Sequence, residues 1–185
     1  MQLCKSFGLG GFPMLEKRTK TQRMVITALF GALTCVATIL IRFPSPTGGY
    51  VNLGDTLVLL SAFLLGGWNG VAAAGIGSMM SDFFGGYIHY MPATLLIKGL
   101  MAATASVLYQ VVRRGEKRRS VQGALVGGVA AEFLMVLGYY LFALIFLKKG
   151  AAAALTIVGN LVQGAIGIVG AIALLLALQK ANIVK

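Results

Sequence analysis

The sequence predicts an all-α, polytopic membrane protein, a six-transmembrane-helix bundle with both termini cytoplasmic. Three observations carry that prediction. Of its 185 residues 58% are hydrophobic and only 11% charged, with a mean hydropathy of +0.86, too little polar surface to cover a water-soluble globule of this length. The apolar residues gather into long runs separated by Gly- and Pro-rich or basic segments, as membrane crossings do. The 16 Lys and Arg, against 5 Asp and Glu, fall in short clusters between those runs, a pattern of topology signals rather than of a nucleic-acid interface.

Taken in order, residues 1–23 form a basic segment carrying Lys5, Lys17, Arg18, Lys20 and Arg23. No apolar core of signal-peptide length precedes the first run and no clear cleavage site follows, so the segment reads as a retained cytoplasmic tail ahead of a membrane domain over 24–185. The first run, 24–41 (MVITALFGALTCVATILI), is long enough to cross. RFPSPTGGYVNLGD follows, and its prolines and glycines cannot continue a helix. Residues 53–83 are apolar with a break at GGWNG, 66–70. Halved, they give about 15 residues or roughly 23 Å per leg, short of a ~30 Å hydrocarbon core, so two thin crossings and a re-entrant hairpin are both open. Further runs span 92–112, 121–147 and 151–179, the last two long enough to tilt or bend.

The basic residues orient the bundle. With six crossings one side receives the tail, the 113–119 loop (Arg113, Arg114, Lys117, Arg118, Arg119), Lys180 and Lys185, while the other receives only Arg42, Lys148 and Lys149, and Lys98 lies inside a run. The richer side is cytoplasmic. Small residues recur four apart at Ala28 and Ala32, Gly66 and Gly70, Ala73 and Gly77, Gly123 and Gly127, and Gly167 and Ala171. Such pairs let helices approach closely in lipid, either within the bundle or against another membrane subunit. Cys4 and Cys35 suggest neither a disulfide framework nor a metal site.

Counting inward from the run ends places most polar residues in the outer half. Asp55 opens the second helix after Tyr50 and Asn52, and Asp82 lies near the outer end of the third. Lys98 is about 9 Å below the start of the fourth at Pro92. Glu132 and Tyr139 share a face of the fifth helix, as Asn160 and Gln163 do of the sixth. A charge inside a membrane helix costs on the order of 3 kcal/mol unless paired, hydrated or snorkelling. Asp82 and Lys98, at compatible depths on sequential helices, read most simply as a structural ion pair, with ligand contact as the alternative. Glu132 is deeper, with no basic partner at its level, and protonation, a meeting with Lys98 across the bundle and contact with substrate all stay open. Tyr50, Tyr87, His89, Tyr90 and Tyr139 are either interface aromatics or an aromatic wall suited to a flat, polar-edged molecule the size of a vitamin. Lone His89 reads as a solvated loop residue, since a metal site needs further ligands.

No Gly-rich loop ending in Gly-Lys-Ser/Thr is present, so ATP hydrolysis by a phosphate loop is excluded for this chain. GIGS, 75–78, has no suitably placed His and acid to form a serine hydrolase, and no enzyme activity or cofactor is expected.

The stretch VNLGDTLVLLSAFLLGGWNGVAAAGIGSMMSDFFGGYIHYMPATLLIKGLMA, 51–102, with GYY at 138–140 and GNLVQGAIG at 159–167, resembles the substrate-specific S components of energy-coupling factor (ECF) vitamin transporters, particularly the riboflavin-type group. The resemblance covers nearly the whole chain after about residue 24. It implies a multi-pass protein of a prokaryotic cell membrane that captures a vitamin or vitamin precursor at its outer face, between loops 1–2, 3–4 and 5–6 and helices four to six. The residues placed there are Tyr50, Asn52, Asp55, Tyr87, His89, Lys98, Glu132, Tyr139, Asn160 and Gln163. It also implies a membrane T component and two cytoplasmic ATPases as partners, with Ala28 and Ala32 as the T-component docking face and Cys35 extending it. The unusual tail and the acidic Glu132 depart from the family pattern. An autonomous ion-coupled carrier using Asp82, Lys98 or Glu132 is the alternative.

Overall fold

The computed structural model describes residues 15, 18–44, 50–113, 116 and 119–183, and the side chains of residues 43, 44, 50 and 51 are not among those described. Cys4, Lys5, Lys17, Arg114, Lys117, Arg118, Lys185 and the Tyr50 side chain therefore lie outside the described residues. The chain is predominantly helical: α1 (Lys20–Leu40), α2 (Gly54–Leu64), α3 (Gly67–Phe84), α4 (Met91–Arg113), α5 (Ser120–Ile145) and α6 (Leu155–Lys180). Short 3-10 helices, Ile88–Tyr90 and Gly150–Ala154, precede α4 and α6. Among the described residues four helices are long and apolar enough to cross a membrane, namely α1, α4 and α6 with the latter two's leading turns, and α5.

The first helix begins at Lys20, earlier than the apolar run, because Thr19 and Gln22 form a reciprocal cap. The Gln22 amide N–H donates to Thr19 Oγ1 at 3.3 Å and the Thr19 N–H donates to Gln22 Oε1 at 3.2 Å, satisfying donors a helix start would otherwise expose. After α1 the chain forms a short antiparallel pair, β1 (Arg42–Pro44) and β2 (Tyr50–Asn52), in which Arg42 faces Asn52. The prolines and glycines that stop the helix do not themselves announce a strand pair; β-prone Phe43 and Val51 flanking a Pro-Gly cluster are the signal for it.

The 53–83 run divides unequally rather than in half. α2 has 11 residues and α3 has 18, about 16 and 27 Å respectively. The break falls at Gly66 and Gly67, with φ of 55° and 46°, a region that only glycine enters freely, so Trp68 and Asn69 belong to α3. The short helix sits at the centre: Val58, Leu59, Ala62, Phe63 and Leu64 are fully buried, and α2 packs against α1, α3, α4 and α6.

Four of the five small-residue pairs serve this internal packing. A β-carbon on Gly127 would lie 2.8 Å from Ala105 O, one on Gly123 2.9 Å from Tyr109 O, and one on Gly70 3.0 Å from Ser61 O. One on Gly77 would overlap Gly31 O, and one on Gly167 would lie 2.8 Å from Asp55 Cβ. Ala28 and Ala32 differ: both are exposed. Cys35 does not extend their face but is buried. It follows Ala32 by three residues, hence about 60° back around the helix towards its packed side, whereas exposed Val36 continues the row. At the end of the bundle away from the hairpin, Tyr109 Oη lies 2.8 Å from Ser120 Oγ, and Gln179 Nε2 donates to that oxygen at 2.8 Å. This ties α4, α5 and α6 together.

Candidate ligand-binding site

At the hairpin end, polar side chains from four helices and β2 meet in the interior. Asn52 closes the start of α2: its Oδ1 accepts from the Gly54 N–H at 2.7 Å. Gln163 of α6 then bridges. Its Oε1 accepts from the Asn52 backbone N–H at 2.9 Å and from Asn52 Nδ2 at 3.3 Å, and its Nε2 donates to Asp55 Oδ2 at 2.7 Å. The other carboxylate oxygen of Asp55 receives the Lys98 ammonium of α4. Asp55 is 0% exposed and Lys98 only 3%, so each satisfies a charge that isolation there would make costly. The Lys98 ammonium also lies 5.6 Å from the centroid of the Tyr139 ring, a cation–π distance. Tyr139 in turn donates from Oη to Thr94 Oγ1 at 3.1 Å. Glu132 of α5 is buried beside this group, against Gly164 and Gly167.

The expected Asp82–Lys98 pair does not form, because the partner of Lys98 is Asp55. Both acids stand at a depth Lys98 can reach; the direction in which α4 turns that side chain, towards central α2, is what depth counting does not contain. Asp82 is buried at the end of α3, where its backbone carbonyl accepts from the Tyr87 N–H at 2.8 Å.

Three connections roof the network, and they touch one another. The Arg42 guanidinium, from the hairpin, donates to Ser81 O at 3.4 Å and stands 5.6 Å from the centroid of the Tyr87 ring. It fills the space where a side chain on Gly85 would go, while Gly86, at φ 79°, makes the turn itself. The Tyr87 ring meets Tyr90 edge-on at 6.2 Å, and Tyr90 meets Phe142 of α5 at 5.3 Å. Lys149 Nζ donates to Tyr90 Oη at 3.4 Å. Loops 1–2, 3–4 and 5–6 are thus joined through rings and two cations. As a sequence, Arg42 is only a topology charge, and its place against Gly85 and Tyr87 comes from contacts between loops distant in the chain.

Of the sequence-predicted residues, the structure therefore brings together Asn52, Asp55, Lys98, Glu132, Tyr139 and Gln163. Tyr87 belongs to the roof, His89 is exposed on the turn before α4, and Asn160 is part-exposed one turn before Gln163 on α6. The family model described as ECF-type riboflavin transporter, S component, matches residues 18–180. The chain belongs to this S component family. That family is a class of transporter components, not of enzymes. The S component is also 35% identical over 137 residues, 72% of its length and 86% of the relative's, to an uncharacterized protein in a gap 3′ region of Pyrococcus woesei. Its fold is shared with the solved S component of a bacterial ECF transporter, at a TM-score of 0.62 and 19% identity over 89% of this chain and 98% of that one.

Proposed function

We propose that this S component captures riboflavin or another small heterocyclic vitamin or precursor at the outer face of a prokaryotic cell membrane. It then hands the ligand inward in complex with a T component and two cytoplasmic ATPases. The observation that carries the reading is the buried Asn52–Asp55–Lys98–Gln163 network beneath three mutually linked loops, in a member of this family. Polar groups of fixed position under aromatic cover suit a flat ligand with hydrogen-bonding edges. The topology proposed is six crossings with cytoplasmic termini, supported by the charge distribution and by four long apolar helices, with α2 and α3 as the second and third legs.

The direct test is mass spectrometry of small molecules released from the purified, then denatured protein against a mock purification; a single enriched heterocycle is expected. Uptake into liposomes by this chain alone, driven by a pH gradient, would instead identify an autonomous carrier. Tyr139→Ala and Asn160→Ala are expected to weaken riboflavin binding about tenfold, the loss of one ring contact or hydrogen-bond set, with little change in melting temperature for part-exposed Asn160→Ala and a lowered one for Tyr139→Ala, whose ring packs on the core and on Lys98. Unchanged affinity in both removes them from the site.

Exposed Ala28 and Ala32 on α1 support a docking face for the T component, since small side chains permit close helix contact in lipid. Ala32→Leu is expected to abolish co-purification with T component and ATPases while ligand affinity stays within about twofold. Normal complex formation by that variant refutes the assignment.

A further inference from the structure

Glu132 stands apart from the network around it. It is 5% exposed, both carboxylate oxygens are shielded, and neither accepts a hydrogen bond among the described residues. Two glycines of α6 make room for it: a β-carbon on Gly164 would lie 3.0 Å from Glu132 Oε2, and one on Gly167 3.1 Å from Oε1 and 2.8 Å from Asp55 Cβ. The two acids therefore meet across Gly167, while the ammonium of Lys98 is taken by Asp55. Ionised or protonated, a carboxyl group keeps an oxygen that can accept, and a buried acceptor without a donor is unfavourable unless something else provides one.

We infer that Glu132 receives a donor from the ligand, and so selects heterocycles whose buried edge carries an N–H or a protonated nitrogen. The inference rests on the ligand-capture reading above and names the ligand's chemistry. Riboflavin meets the requirement through the single imide N–H of its ring system.

The test is a titration of purified wild type, Glu132→Gln and Glu132→Leu with riboflavin and with 3-methylriboflavin, whose imide N–H is replaced by N–CH3, following the fluorescence of the flavin. Wild type is expected to prefer riboflavin by about tenfold, the worth of one buried hydrogen bond. Glu132→Leu is expected to lose that preference, and Glu132→Gln to retain part of it. Neither variant should melt below wild type, because replacing an unpartnered buried acid removes an unfavourable group. Equal riboflavin affinity in all three proteins, or a lowered melting temperature with the preference intact, overturns the role given to Glu132 and leaves ligand capture standing. Failure of wild type to bind either flavin overturns the riboflavin reading and this inference with it.

Discussion

Lys98→Met is expected to destabilise the detergent-solubilised protein by about 3–5 kcal/mol, the usual cost of removing one partner from a buried ion pair. It strands Asp55, which is fully buried, beside Glu132 with no cation between them. Asp55→Asn should cost clearly less. The amide still accepts from Gln163, and the flexible lysine stem lets the ammonium turn to Glu132 across the same glycine. The double variant Asp55→Asn with Lys98→Met should be more stable than Lys98→Met alone, since both members of the pair are then neutral. Melting temperatures of the three variants decide this. Strictly additive losses would show that the two side chains are not energetically coupled.

Gly77→Ala is the second large effect, expected to cost about 1–3 kcal/mol through overpacking. The added methyl overlaps the backbone oxygen of Gly31 and lies 3.0 Å from Thr34 Cβ, so α1 and α3 must separate; no side-chain rotation relieves a clash with a main chain. Gly99→Ala provides the control. Its new methyl would meet only Val71 Cγ1 at 3.5 Å, an ordinary contact, and alanine's higher helix propensity then makes the change neutral or stabilising by up to about 1 kcal/mol. If the two substitutions shift the melting temperature alike, close packing of α1 on α3 is not what Gly77 provides.

These contrasts also locate what the sequence discloses. Helices α4 and α5 were legible to within two residues at each end, and α6 at its C-terminal end, because each is a long apolar run ended by charge and hydropathy responds to that directly; α6 starts at Leu155, four residues into its run, because Gly150–Ala154 winds as a 3-10 helix that hydropathy does not distinguish. The start of α1 was not, because Thr19 and Gln22 act through hydrogen bonds that hydropathy ignores, although their spacing is a capping signal. In the site, counting along helices brought Asp55, Lys98 and Gln163 to one end of the bundle but set Glu132 deeper, with no basic partner at its level, whereas that acid lies beside Asp55 across Gly167. Counting gave the wrong acid for Lys98 because depth leaves rotation about the helix axis undetermined. Similarly, the i, i+4 rule put Ala28 and Ala32 on one exposed row, whereas Cys35 lies off that row and its side depends on neighbours that packing alone defines. The roof around Arg42 depends on contacts between loops distant in sequence, for which local pattern carries almost no information.

The central helix α2 has a consequence for biogenesis. At 11 residues it is about 16 Å long, roughly half the hydrocarbon thickness, and it carries Asp55 near its first turn. Leaving the insertion machinery alone, such a segment would place a carboxylate and unmatched helix ends in lipid. Its lasting cover comes partly from α4 and α6, which are synthesised later, so α2 reaches its final environment only after the last helix has entered. Nascent chains halted before α6 should accordingly remain substrates for membrane quality control even though their long helices have already inserted.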